Sequence, residues 1–339
     1  MFDLKRLWLD KDKAMLQQWT DLMERSGLSP QESVEYTVGL LKDGQLVASG
    51  SYQKNIIKCL AVDKEYQSEN LLTQIMIHLM ERMREKDLNH YFLYTKPSEA
   101  KIFHSLGFHT IVENESVLFT EQGSPNIDDY QELLEKHRHT GTASSIVMNA
   151  NPFTKGHQFL VETAAAKSDH VYVFVLSEDR SDFSSEDRMN MVKLGVSHLD
   201  NVTVLPSRDY MVSTATFPAY FLKENAPLAV AKTQAAVDAQ LFKEKIAPIL
   251  NIRSRFVGEE PFSPVTEVYN RSLQEVFGQE LELVIVPRKE VEGAAISATN
   301  VRKALKEKDV ELLTHLVPKT TYDYLKKIKK IEVEFSGNY

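Results

Sequence analysis

Met15, Leu16, Trp19, Leu22 and Met23 recur at helical spacing and predict a helix over 10–27. Two apolar runs, 34–41 and 46–52, flank Lys42-Asp43-Gly44-Gln45. Asp-Gly between such runs predicts a β-hairpin. A third strand is expected at 56–62. Leu72, Ile75, Met76, Leu79 and Met83 then form the apolar stripe of a long helix over 69–87. A strand at 90–95, a helix over 98–106 closed by Gly107, and two short strands within 108–120 complete this part.

Gly123-Ser124-Pro125-Asn126 breaks the pattern, and Lys136-His137-Arg138-His139-Thr140-Gly141-Thr142 is polar. This predicts a first domain over 1–122, a linker with a short helix over 123–143, and a second domain over 144–339. In the second domain, apolar strands at 145–149, 170–176, 202–205, 255–258 and 281–286 alternate with helices. Strands separated by helices read as βαβ units, and continuous apolar strands such as Val171–Leu176 suit a parallel sheet covered on both faces. The fold class is α/β.

The 339 residues fit about two domains. Forty Lys and Arg against forty-eight Asp and Glu give a net charge of −8, which excludes a chain built to coat nucleic acid. No apolar stretch reaches the roughly 20 residues that span a bilayer, so a soluble cytoplasmic protein without a membrane partner is expected. The single cysteine, Cys59, lies in an apolar run and is expected to be a buried structural thiol. His137 and His139 lack a third neighbouring ligand, so no metal site is expected there. The basic run Lys326-Lys327-Ile328-Lys329-Lys330 is expected to be a solvated helix end.

In a parallel sheet, ligands gather at the carboxyl ends of strands, near helix starts. The strand at 145–149 leads into Asn151-Pro152-Phe153-Thr154-Lys155-Gly156-His157, with a helix expected over 158–167. Free backbone amides, a hydroxyl and an imidazole at such a start suit phosphate. Thr154 as a plain cap with His157 packed on it is the alternative. Far downstream, Ile296-Ser297-Ala298-Thr299-Asn300-Val301-Arg302 enters a helix expected over 301–306. Arg302 in a first turn opposes the helix dipole, and an anion at that end would relieve the misfit. No P-loop and no G-x-G-x-x-G occurs.

N-P-x-T-x-G-H followed by I-S-x-T-x-x-R resembles the nucleotidyltransferase superfamily with an H/T-x-G-H signature, on a Rossmann-like parallel sheet. The resemblance implies ATP with Mg²⁺ carried on the triphosphate. Thr154 and His157 would contact triphosphate oxygens, and Ser297, Thr299 and Arg302 the distal phosphates. Asn151, Lys155, Gly156, Gly258 and Arg188 on the helix near 183–192 would complete the nucleotide site, with His157, Thr154 and Arg302 as the catalytic set. The block from Ala231 to Phe262, with Asp238, Arg253, Arg255 and Glu259, together with the domain order, resembles the citrate lyase ligase family. This implies AMP-forming activation of acetate and acetylation of a phosphopantetheine-like thiol on the acyl-carrier subunit of citrate lyase. For Asp238 and Glu259, helix-surface charge and strand-end capping stay open beside a substrate role; for Arg253 and Arg255, pairing with nearby acids does. A cofactor adenylyltransferase of the phosphopantetheine or nicotinamide-mononucleotide type, or a carrier-docking module with a vestigial site, are the alternatives.

Lys96-Pro97-Ser98-Glu99-Ala100-Lys101-Ile102-Phe103-His104-Ser105-Leu106-Gly107-Phe108 resembles the GNAT acyltransferases. Their pyrophosphate loop, Gln/Arg-x-x-Gly-x-Gly/Ala, has Asn70 and Leu72 at its two glycine positions here, with Glu69 alongside. Coenzyme A binding is therefore not expected, while docking of a carrier arm, or a purely structural role, stays open.

Overall fold

The computed structural model describes residues 1–30, 32–179, 181–217, 228–259, 264–287, 290–291 and 294–328. The chain divides into two compact units, Met1–Asp129 and Tyr130–Tyr339. Among the described residues no helix is long and apolar enough to cross a membrane.

The first unit is built from β1 (Asp3–Leu7), α1 (Lys13–Arg25), β2 (Tyr36–Lys42), β3 (Gln45–Gln53), β4 (Ile56–Val62), α2 (Leu71–Arg84), β5 (His90–Thr95), α3 (Ala100–Ser105), β6 (His109–Glu113) and β7 (Leu118–Gly123). The strands form one sheet in the order β1-β2-β3-β4-β5-β7-β6, in which only β4 and β5 are parallel neighbours. Asp43 and Gly44 form the expected hairpin turn, both in the left-handed region at φ 51° and 83°. The stripe on α2 buries Leu71, Ile75, Met76, Leu79, Met80 and Met83. It packs so closely on β3 that a Cβ at Gly50 would lie 2.4 Å from Ile75 Cγ2. The helix starts two residues later than its periodicity suggests, because residues Lys64–Glu69 close a 3₁₀ turn first. Cys59 is buried as expected, and burial, with Glu32 nearby, pushes its thiol up to about 12.

Helix α4 (Ile127–Glu135) leads to the second unit. There β8 (Ala143–Met148), α5 (Lys155–Ala165), β9 (His170–Val175), α6 (Ser185–Gly195), β10 (Val202–Pro206), α7 (Leu228–Leu241), β11 (Ile252–Gly258), α8 (Pro264–Phe277), β12 (Glu282–Val286), α9 (Ala298–Glu307), α10 (Val310–Leu316) and α11 (Lys319–Lys327) follow in turn. The five strands pair in parallel throughout, in the order β10-β9-β8-β11-β12. Alternate residues feed the two faces. Ile146, Val173 and Phe256 join a core with Val161 of α5, Met191 of α6 and Val301 of α9. On the other face, Phe174 and Arg255 meet Phe242 just beyond α7. The strand order reverses between β8 and β11, so the crevice above their carboxyl ends is the natural ligand position.

Two helix starts differ from the sequence expectation. Helix α5 begins at Lys155, not 158, and α9 at Ala298, not 301. In each case the hydroxyl of the residue just before the helix, Thr154 or Ser297, captures the amide three residues on and nucleates the first turn sooner. Of the basic run, Lys326 and Lys327 close α11, while Lys329 and Lys330 lie outside the described residues.

Candidate active site

Beyond β8 the chain turns through a cis Asn151–Pro152 peptide and enters α5. Phe153 anchors this turn. It is fully buried against Gly195 of α6, where a Cβ would sit 2.3 Å from its ring. Thr154 caps α5: its Oγ1 accepts from the His157 amide at 3.2 Å. In return, His157 Nδ1 accepts from the Thr154 amide at 3.0 Å. A backbone amide can only donate, so Nδ1 is the acceptor nitrogen and the ring proton of neutral His157 resides on Nε2. The imidazole also stacks on Phe153, with centroids 5.7 Å apart. The cap and the phosphate-donor readings of these residues are thus compatible: capping through Nδ1 fixes which nitrogen presents a proton.

The second motif half lies against the first. Ser297 caps α9 by accepting from the Asn300 amide at 3.1 Å. The Ile296 carbonyl stands 3.5 Å from the Cβ position of Gly156. Arg302 Nη1 donates to the Asn151 carbonyl at 2.7 Å, and Nη2 to Thr299 Oγ1 at 3.1 Å. Its Nε pairs with Asp182 at 3.2 Å, and Asn151 Nδ2 donates to the same carboxylate oxygen at 3.2 Å. With α9 starting at Ala298, Arg302 is in the second turn and Thr299 inside the first, so the dipole misfit inferred from sequence largely disappears.

Two expected site residues have hydrogen-bond work of their own in this arrangement. Arg188 is fully buried, and its guanidinium donates to the carbonyls of Phe183, Asn149, Leu176 and Glu178 and to Asn149 Oδ1. It clamps the loops after β8 and β9, with Nη2 also 3.8 Å from Asp179 Oδ1. Lys155 donates to the Thr314 carbonyl at 2.9 Å. Gly258 ends β11, and among the described residues nothing lies within 4 Å of its Cβ position. Sequence reasoning missed Asp182 and Asn149, whose positions in the crevice follow from the clamp; the acid-rich start of α6 was their only trace.

Asp238 and Arg255 are buried at 0% and 1% exposure, so neither is a surface charge. They are linked through Tyr269, whose hydroxyl donates to Asp238 Oδ2 at 2.7 Å and accepts from Arg255 Nη2 at 2.9 Å. Arg253 and Glu259 are exposed. Glu260, Pro261 and Phe262 lie outside the described residues.

Two capped helix starts meeting at the switch point of a five-stranded parallel sheet define a nucleotidyltransferase-type α/β domain. Residues 143–325 match the citrate lyase ligase C-terminal domain family. The chain is 38% identical to the citrate (pro-3S)-lyase ligase of Haemophilus influenzae, over 90% of this chain and 93% of that protein. It is 35% identical to that of Klebsiella pneumoniae, over 97% and 98%. The chain belongs to the citrate lyase ligase family. The N-terminal part is similar to the ribosomal-protein-S18-alanine N-acetyltransferase of Escherichia coli, a GNAT-type structure, at 16% identity and a TM-score of 0.31, covering 36% of this chain and 94% of that one.

In the first unit, Asn70 adopts φ 55°, a left-handed conformation that favours glycine, at the turn into α2. Leu72 carries a bulky side chain in the first turn of α2, and Glu69, just before Asn70, is an exposed anion. Residues 1–129 produced alone should therefore give no measurable heat on titration with coenzyme A. Saturable binding in the low micromolar range would overturn this.

Proposed function

We propose that this chain is an AMP-forming ligase that activates citrate lyase by acetylating its acyl-carrier subunit. An acetate oxygen attacks the α-phosphorus of ATP, the bond to the β-phosphate oxygen breaks, and pyrophosphate leaves, giving acetyl adenylate. The thiolate of the carrier's phosphopantetheine-like arm then attacks the acetyl carbonyl. A thioester forms and AMP departs. Magnesium enters with the triphosphate as part of the substrate.

The observation that carries this reading is the junction of the two motif halves, 151 residues apart in sequence, where Arg302 donates to the Asn151 carbonyl at 2.7 Å. It sets the amide-rich starts of α5 and α9 side by side. Oriented amides, the His157 Nε2–H and the positive helix ends offer fixed donors to a polyphosphate. Phosphoryl-transfer chemistry of this kind is mostly positioning and charge stabilisation. Thr154, Gly156, His157, Ser297, Thr299 and Arg302 would line the phosphates. Lys155, Asn151 and Gly258 would border them, and Arg188 would hold the loops in place.

ATP–pyrophosphate exchange tests the proposal. Exchange that requires acetate is expected, followed by acetyl transfer to the carrier subunit. Exchange that requires a phosphate ester such as phosphopantetheine would assign a cofactor adenylyltransferase. Absence of any exchange, with carrier binding retained, would assign a docking module.

A further inference from the structure

Arg255 lies on β11, the strand bordering the switch point, with its side chain on the α7/α8 face. It is 1% exposed, yet among the described residues it donates to Tyr269 alone, and Nε and Nη1 find no acceptor. An incompletely paired buried cation is costly, so such a group calls for a physical reason. Nη2 spends one N–H on Tyr269. Whichever edge of the planar fork that N–H belongs to, the other edge keeps two parallel donors, the pattern that fits a carboxylate.

The surroundings hold this fork in place. Phe242 and Tyr269 lie 4.8 and 5.6 Å from the guanidinium carbon, and Phe217 stacks on Tyr269 at 5.0 Å. Burial, above all, keeps the Tyr269 hydroxyl protonated well past its usual range, so it donates to Asp238 while accepting from Arg255. Asp238 Oδ1 in turn accepts from the Val212 amide at 2.6 Å, on the loop that leaves the carboxyl end of β10. The relay therefore runs from Arg255 to the side of the sheet where the strands end.

We propose that Arg255, oriented by Tyr269 and Asp238, binds the carboxylate of the acid that is to be activated. The inference rests on the ligase reading above. A carboxylate gripped on one edge of the fork keeps its second lone pairs directed outward, and the aromatic wall excludes water that would compete for the cation. Arg255 supplies the substrate contact; Tyr269 and Asp238 are positioning residues.

The test uses the whole chain and ATP–pyrophosphate exchange, with acetate and ATP titrated separately. Arg255→Met keeps length and removes the charge. It should raise the half-saturating acetate concentration by about 30-fold or more, the effect of losing one partner of a buried charge pair. Half-saturation by ATP should stay within about twofold, whatever stability is lost by leaving Asp238 without its cation. Tyr269→Phe keeps the ring and should raise the acetate requirement by about tenfold, again with little change for ATP. If Arg255→Met leaves the acetate requirement at the parent value, or raises the ATP and acetate requirements together, Arg255 is structural and the proposal fails. Should Arg255→Met not fold, Tyr269→Phe decides on the same criteria. If the parent shows no acetate-dependent exchange at all, the ligase reading itself is lost and this inference with it.

Discussion

His157→Ala should lower acetate-dependent ATP–pyrophosphate exchange by about 10²–10³, the typical effect of removing one preorganised donor from a developing charge. The structure separates two contributions of this side chain. Nδ1 accepts the Thr154 amide at 3.0 Å and closes a capping box, which contributes about 1 kcal/mol to stability. The Nε2–H is what a phosphate oxygen would meet. His157→Glu tells them apart, because glutamate at the third helical position reaches back to the same amide but brings a negative charge. That variant should regain the melting temperature lost in His157→Ala and still lack exchange. Near-parent exchange in either variant would reduce His157 to a cap.

Arg302→Ala should raise the ATP requirement by about 10- to 100-fold, as expected for losing a hydrogen-bonded cation beside a phosphate. Arg302→Lys should recover only part of this. The guanidinium reaches the Asn151 carbonyl, Thr299 Oγ1 and Asp182 through three different nitrogens, and one ammonium cannot reproduce that spread. Asp182 is half exposed, and its contact to Arg302 is the one that an arriving phosphate would compete with. Asp182→Asn should therefore leave the ATP requirement unchanged or lower it. If Arg302→Ala and Arg302→Lys both match the parent, α9 is only a structural brace.

Much of the backbone was legible in local patterns. Asp43-Gly44 between two apolar runs specified its hairpin, and strands β4 and β5 fall at the residues their apolar runs mark. These features depend on φ preferences and side-chain alternation within a few residues, which the chain carries locally. Helix starts were less legible. At α5 and α9 the capping hydroxyls of Thr154 and Ser297 begin the helix three residues before the apolar stripe does.

The sequence by itself determined the α/β class, the strand–helix alternation of the second domain and the two phosphate-type motifs, N-P-x-T-x-G-H and I-S-x-T-x-x-R, but not β1 or the last two helices. The tertiary structure decided what each charged side chain does. Arg188, expected at the nucleotide site, is buried where β8 and β9 end and donates to the carbonyls of Asn149, Leu176 and Glu178. Asp238 sits on a helix whose sequence does not mark it as buried, and it is enclosed because β11 and α8 pack against α7. Its partners, Arg255 and Tyr269, lie 17 and 31 residues away along the chain, and only the sheet order β8-β11-β12 brings β11 beneath both helices. Pairing between residues this far apart is set by how the strands assemble, and a strand's place in a sheet is not written in its own few residues.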